Sequence, residues 1–264
     1  MKNYKIILSW LGILLYLVVA VSFINKKETM ALCNTVKVNI ADSTDNKFVV
    51  EQDILDFIEE QNLKVRGYPL NDINTYQLEQ MVNKFPAVKN VECYKTIDGT
   101  LSINLNQRKP IVRIIDVKGN SYYIDSDGYI LPLSQQYTAH VIVANGNIPA
   151  IDFRNKKINV LDAENYGTKK ALLKLKDIYL FSKFILVDEL WKAQFVQLYL
   201  NNENEYELIP RVGAHIILLG DMENFNYKLK KLKALYLKGL NKEGWNNYER
   251  INLKYSNQVV CTKR

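Results

Sequence analysis

The hydrophobic pattern divides the chain into three stretches. Residues 6–24 (IILSWLGILLYLVVAVSFI) are 19 consecutive positions without a charge, with Lys2 and Lys5 before them and Lys26 and Lys27 after. At about 1.5 Å per residue, a helix of that length spans roughly 28 Å, close to the thickness of a bilayer core. Trp10 and Tyr16 fit interfacial or lipid-facing positions. The rival reading is a cleaved signal peptide, for which Ala20 and Ser22 supply a small-x-small step. The run exceeds the usual apolar core of about 7–15 residues in such peptides, which favours an uncleaved anchor. Lysines balance across the span, so the positive-inside rule barely orients it. With the amino terminus inside, everything after the span lies outside the cytoplasm.

Downstream the period changes. Residues 34–40 alternate Val36, Val38 and Ile40 on one side, a short strand. Residues 51–62 place Ile54, Leu55, Phe57 and Ile58 at helical spacing, with acids in the first turn. Asn74 or Thr75 caps a second helix reaching Phe85, and Pro86 ends it. Residues 88–96 and 100–108 then read as strands joined at Asp98-Gly99, a hairpin signal. The order is strand, helix, helix, strand, strand. After Pro110 the chain becomes strand-rich, with strands expected at 111–117, 121–125, 140–144, 193–200, 206–210, 214–219, 250–255 and 258–262. Helices are expected at 166–184 and 224–240, the second amphipathic with its lysines outward. The fold class is α+β.

Composition narrows function mainly by exclusion. The formal net charge is +7, and residues 221–264 carry ten lysines and arginines against four acids, so the excess sits in the last sixth of the chain. Such a basic face suits an acidic partner, anionic lipid or nucleic acid, or is simply solvated. The aromatic residues of 224–240 fall on its apolar side, where they pack rather than stack on bases, so nucleic acid is not an expected partner. Cys33, Cys93 and Cys261 lie far apart, without a C-x-x-C pair; no zinc site is expected, and a Cys33–Cys93 disulfide has no support beyond being possible. Neither G-x-S-x-G nor a glycine-rich phosphate loop occurs. His140 and His215 each sit in an apolar stretch read as strand, without a ligand or catalytic partner nearby. Asp125-x-Asp127-Gly128 begins like a calcium loop but has Gly fourth and Gln136 twelfth, so it reads as a hairpin turn. Changing His140, His215, Asp125 or Asp127 singly to Ala is expected to spare function unless folding fails. No catalytic residue, cofactor or metal site is expected.

Several motifs in a fixed order carry a family resemblance. Residues 81–114 (MVNKFPAVKNVECYKTIDGTLSINLNQRKPIVRI) resemble a POTRA domain, down to the Gln107-Arg108-Lys109-Pro110 junction. Tyr123-Ile-Asp-x-x-Gly128-x-Ile-Leu-Pro132, Arg211-Val-Gly-x-His-x-x-x-Leu-Gly220 and residues 250–260 are similar to successive motifs of the bacterial cell-division family FtsQ/DivIB. The ending looks like the Bacteroidetes branch, and the stub before the span is short for the family.

The resemblance implies a bitopic inner-membrane protein, with a cytoplasmic stub (1–5), a transmembrane anchor (6–24), a POTRA domain (33–109) and a C-terminal β-rich domain (110–264). It implies a non-enzymatic divisome scaffold at the septum that holds FtsB- and FtsL-like partners and helps regulate septal peptidoglycan synthesis. The POTRA domain would meet other division proteins. The competing readings are a membrane-anchored cell-wall enzyme and a POTRA-bearing chaperone for outer-membrane proteins. The expected contact is an edge strand formed by Gln258, Val259, Val260, Cys261 and Thr262, which would accept a partner strand, with Tyr255 as an aromatic contact. Lys254, Lys263 and Arg264 would draw in an acidic segment. An interior strand that merely completes the sheet is the alternative. Val260→Pro is the discriminating change if that N–H points outward.

Overall fold

The computed structural model describes residues 3–28, 32–41, 47–153, 157–165 and 169–264. The chain divides into two compact units, Met1–Gln107 and Arg108–Arg264.

The first unit opens with helix α1 (Asn3–Glu28), whose described side chains, residues 9–21, are almost all exposed, among them Trp10, Leu14, Leu17 and Val18. Among the described residues no helix is long and apolar enough to cross a membrane. Strand β1 (Thr35–Ile40) follows, then α2 (Glu51–Glu60), α3 (Thr75–Val82), β2 (Val88–Lys95) and β3 (Thr100–Gln107). The Asp53 carboxylate accepts from the Val50 N–H at the start of α2, and the Asn74 side chain accepts from the Gln77 N–H at the start of α3. The sequence predicts α3 as far as Phe85, yet it stops at Val82. The next turn is closed by tighter Lys84-to-Met81 and Phe85-to-Val82 bonds, because Pro86 disfavours helical backbone in the residue before it. The sheet order is β1-β3-β2, with β1 parallel and β2 antiparallel to β3. Ile54, Ile58, Leu78 and Val82 on the helices and Leu101, Ile103 and Leu105 on the central strand are all buried. Gly99 turns the hairpin at a φ of +88°. Beside it the Asp98 carboxyl is held below its ordinary range by hydrogen bonds from Thr96 and Thr100.

The second unit is built on β4 (Pro110–Ile115), β5 (Ser121–Asp125), β6 (Ile130–Leu131), β7 (Ile142–Gly146), β8 (Phe195–Leu200), β9 (Tyr206–Pro210), β10 (Ile216–Gly220), β11 (Tyr248–Asn252) and β12 (Val260–Lys263). They form one sheet in the order β12-β11-β10-β9-β8-β7-β4-β5-β6. The longer helices described in this unit are α4 (Lys169–Val187), α5 (Glu189–Gln194) and α6 (Phe225–Leu235), the last running on through a π-turn at Tyr236–Leu240 into a short helical turn at Asn241–Glu243; a 3-10 segment at Val160–Asn165 precedes α4. The first three positions of the helix predicted at 166–184 lie outside the described residues. Leu172, Leu175, Ile178, Phe181 and Ile185 form the inner face of α4, each contributing about 2 kcal/mol of burial. The helices meet over β8, where Phe181 packs on Phe195 and on Phe225 of α6, and Trp191 of α5 stacks on Phe195 at 5.0 Å. Six-residue α5 shows no hydrophobic period in the sequence; Asp188 caps it by accepting from the Leu190 and Trp191 N–H groups.

Several single-residue expectations change. His140 and His215 both lie just outside strands: His140 is exposed two residues before β7, and His215 is buried one residue before β10. All three cysteines are free thiols. Burial, reinforced by Glu79, pushes the Cys93 thiol up to about 12. The lysines of α6 do not all point to solvent. Lys228 is buried and donates to the Asp221 carboxylate at 2.6 Å, its long stem covering apolar surface.

Candidate partner-binding edge

The closing strand takes its position from the register. β11 lies parallel to β10, and β12 turns back antiparallel to β11, pairing Asn252 with Val260, Ile251 with Cys261 and Arg250 with Thr262. Strand β12 therefore forms one edge of the sheet. Side chains alternate along it: Val259 and Cys261 are half-buried against the core, while Val260 and Thr262 are exposed. Burial raises the Cys261 thiol above its ordinary value.

Backbone polarity follows from the end of the strand. The Arg264 N–H donates to the Asn247 carbonyl at 3.2 Å. The register shifts between Tyr248 and Arg250, and beyond it the Leu253 N–H donates to Leu218 of β10, so Asn252 turns its backbone groups to Val260; the Val260 and Thr262 N–H groups therefore also face β11, and those of Cys261 and Lys263 face outward. Val260→Pro would thus damage the ladder inside the sheet, and the outward donor to remove is that of Cys261.

The loop before β12 is held by a residue the sequence reading overlooked. Lys231 of α6 reaches under it, donating from Nζ to the carbonyls of Leu253 at 3.1 Å, Gln258 at 3.3 Å and Tyr255. Burial, and Lys228 close by, lower its basicity. The signal in the sequence was a lysine i+3 from Lys228 on an amphipathic helix, which a charge count reads as solvated. Tyr255 sits in this loop, 49% exposed and outside any strand. Gln258 also belongs to the loop, because Asn252-to-Val260 pairing starts the strand two residues later than the sequence predicts.

The cations around the edge differ in availability. Lys254 is committed to Glu205, with Nζ–Oε distances of 2.9 and 3.0 Å, and that carboxylate raises its basicity. The Arg264 guanidinium donates to the Ala214 carbonyl. Lys263 is exposed at the end of the strand.

Asp125, at the end of β5, lies toward the opposite edge of the sheet from β12. The Asp125 carboxylate is buried and accepts from the Arg108 guanidinium at 2.7 Å and from the Asp127 and Tyr129 N–H groups. The guanidinium in turn lies 4.0 Å above the Tyr129 ring. The Asp-x-Asp-Gly turn is a hydrogen-bonded anchor for Arg108. Among the described residues no group of three or more His, Cys, Asp and Glu could hold a metal ion.

Residues 109–262 match the family model described as FtsQ/DivIB, C-terminal related. The chain belongs to the FtsQ/DivIB C-terminal-related family. Residues 31–106 match a POTRA-like domain. No curated protein matches the chain. The FtsQ/DivIB-related sheet thus includes the edge strand, and a POTRA-like domain precedes it, an architecture that associates the chain with cell division.

Proposed function

We propose that this FtsQ/DivIB-related chain is a non-enzymatic scaffold of the bacterial divisome, which captures FtsB- and FtsL-like partners along β12 and so helps regulate septal peptidoglycan synthesis. The observation that carries the proposal is an edge strand at the end of the family domain whose Cys261 and Lys263 backbone groups face outward. A partner strand would pair with those groups, the exposed side chains of Val260 and Thr262 would meet it, and Tyr255 and Gln258 would contact the chain entering beside the loop. Lys231 holds that loop in place. Lys263 is the cation left to steer an acidic segment.

Helix α1 is the proposed inner-membrane anchor. Its support is the uncharged stretch at 6–24 of the sequence; among the described residues no helix is long and apolar enough to cross a membrane. On this reading residues 1–5 are cytoplasmic, both globular units are periplasmic, and the POTRA-like unit receives other division proteins. Depletion tests the function. Filamentation with intact outer-membrane proteins supports it, whereas lysis without filamentation, or loss of outer-membrane proteins, contradicts it.

A further inference from the structure

The outward face of α4 carries a pattern that neither folding nor the edge strand uses. Leu173, Leu180 and Val187 are 41%, 44% and 83% exposed. They recur at seven-residue steps, which on an α-helix drift by only about 20° each, so the three side chains project in one nearly straight line. Single exposed leucines are ordinary, but three in register along one helix form a seam. Between Leu180 and Val187, Phe184 turns toward Phe225 of α6 at 5.3 Å and walls the seam on that side. The flanks carry Lys170, which is exposed, and Lys176, which is half-buried, with Asp177 the single acid on that face; Lys183 is held by the Tyr179 hydroxyl and the Ser126 carbonyl.

We propose that this seam is a second docking surface, which takes an acidic amphipathic helix of a partner protein. Heptad spacing selects a helical partner, since each exposed side chain can seat between residues of a facing helix at the same period. The lysine flanks select acidic residues beside the partner's apolar stripe. A membrane surface fits less well. Helices that lie on lipid present a broad apolar face, whereas this one is a single line of side chains, and the opposite face of α4 is locked into the core by Leu172, Leu175 and Phe181. The inference does not rest on the reading of β12.

The test uses the full chain in non-ionic detergent and two labelled three-heptad peptides, with leucine at the a and d positions and either glutamate or lysine at e and g. The glutamate peptide should bind about tenfold or more tightly than the lysine peptide, and Leu180→Glu should weaken it by about tenfold. Lys170→Glu with Lys176→Glu should reverse the preference. Thermal melting checks that Leu180→Glu folds; Leu173→Ser with Val187→Ser serves in its place if it does not. Failure to bind either peptide, equal binding of both, or indifference to the seam substitutions overturns the proposal. So does binding to phosphatidylglycerol vesicles that Leu180→Glu abolishes while the peptides stay unbound, which would assign the seam to lipid.

Discussion

Arg108 and Asp125 show how a motif that looks like a site can belong to the core. With the guanidinium 4% exposed and the carboxylate fully buried, each neutralises the other where water cannot. Asp125→Ala should therefore destabilise the second unit by about 3–5 kcal/mol, by stranding a buried charge, and chemical denaturation measures it. The sequence-based expectation that this change spares function unless folding fails is met at its exception, because Asp125 holds the fold. His215 is a second buried polar group, donating to or accepting from the Tyr236 hydroxyl at 3.1 Å. Burial lowers its pKa below the ordinary 6.5. Below about 6.5 the unfolded chain takes up a proton that the folded chain refuses, so stability falls as pH drops from 6.5 toward the depressed value. The melting temperature should decline between pH 7 and pH 5, and His215→Gln should flatten that slope; an unchanged slope counts against the assignment. The sequence showed His215 without a partner because that partner, Tyr236, lies 21 residues away on another element.

At the level of elements, pattern and period were sufficient for most strands. Ser121–Asp125 and Tyr206–Pro210 fall where alternation places them. Boundaries moved where a tertiary contact decided them, as at β12, whose start is set by pairing with Asn252. α5 is too short to show a period, and Lys231 looked like any surface lysine; both owe their roles to neighbours that the sequence does not place beside them. The edge yields two tests. Cys261→Pro removes an outward donor and should abolish capture of an FtsB-like segment, while Cys261→Ala, which keeps the donor, should retain it. Equal capture by the two variants would show that backbone pairing at this position is not used. Lys231→Met should release three carbonyl contacts, lower stability by about 1 kcal/mol, and weaken capture several-fold; pull-down and thermal melting read the two effects separately.

Across the whole molecule, the order of elements was the most legible feature: a strand-helix-helix-strand-strand unit, then a strand-rich sheet with inserted helices, corresponding to the POTRA-like and FtsQ/DivIB-related matches. The anchor is a question of compartment. A phosphatase fused after Asn147 should be active if α1 spans the membrane with its amino terminus inside; an inactive fusion in cells where a periplasmic control works would refute that arrangement. The scaffold reading depends most on whether β12 meets a division partner in the cell. A photo-crosslinking residue at Thr262, exposed on the edge, and another at Ile97, exposed at the POTRA-like hairpin, address it together. The expected result is an FtsB-like adduct from position 262 and none from position 97. No adduct at 262, or equal adducts from both positions, would contradict the account.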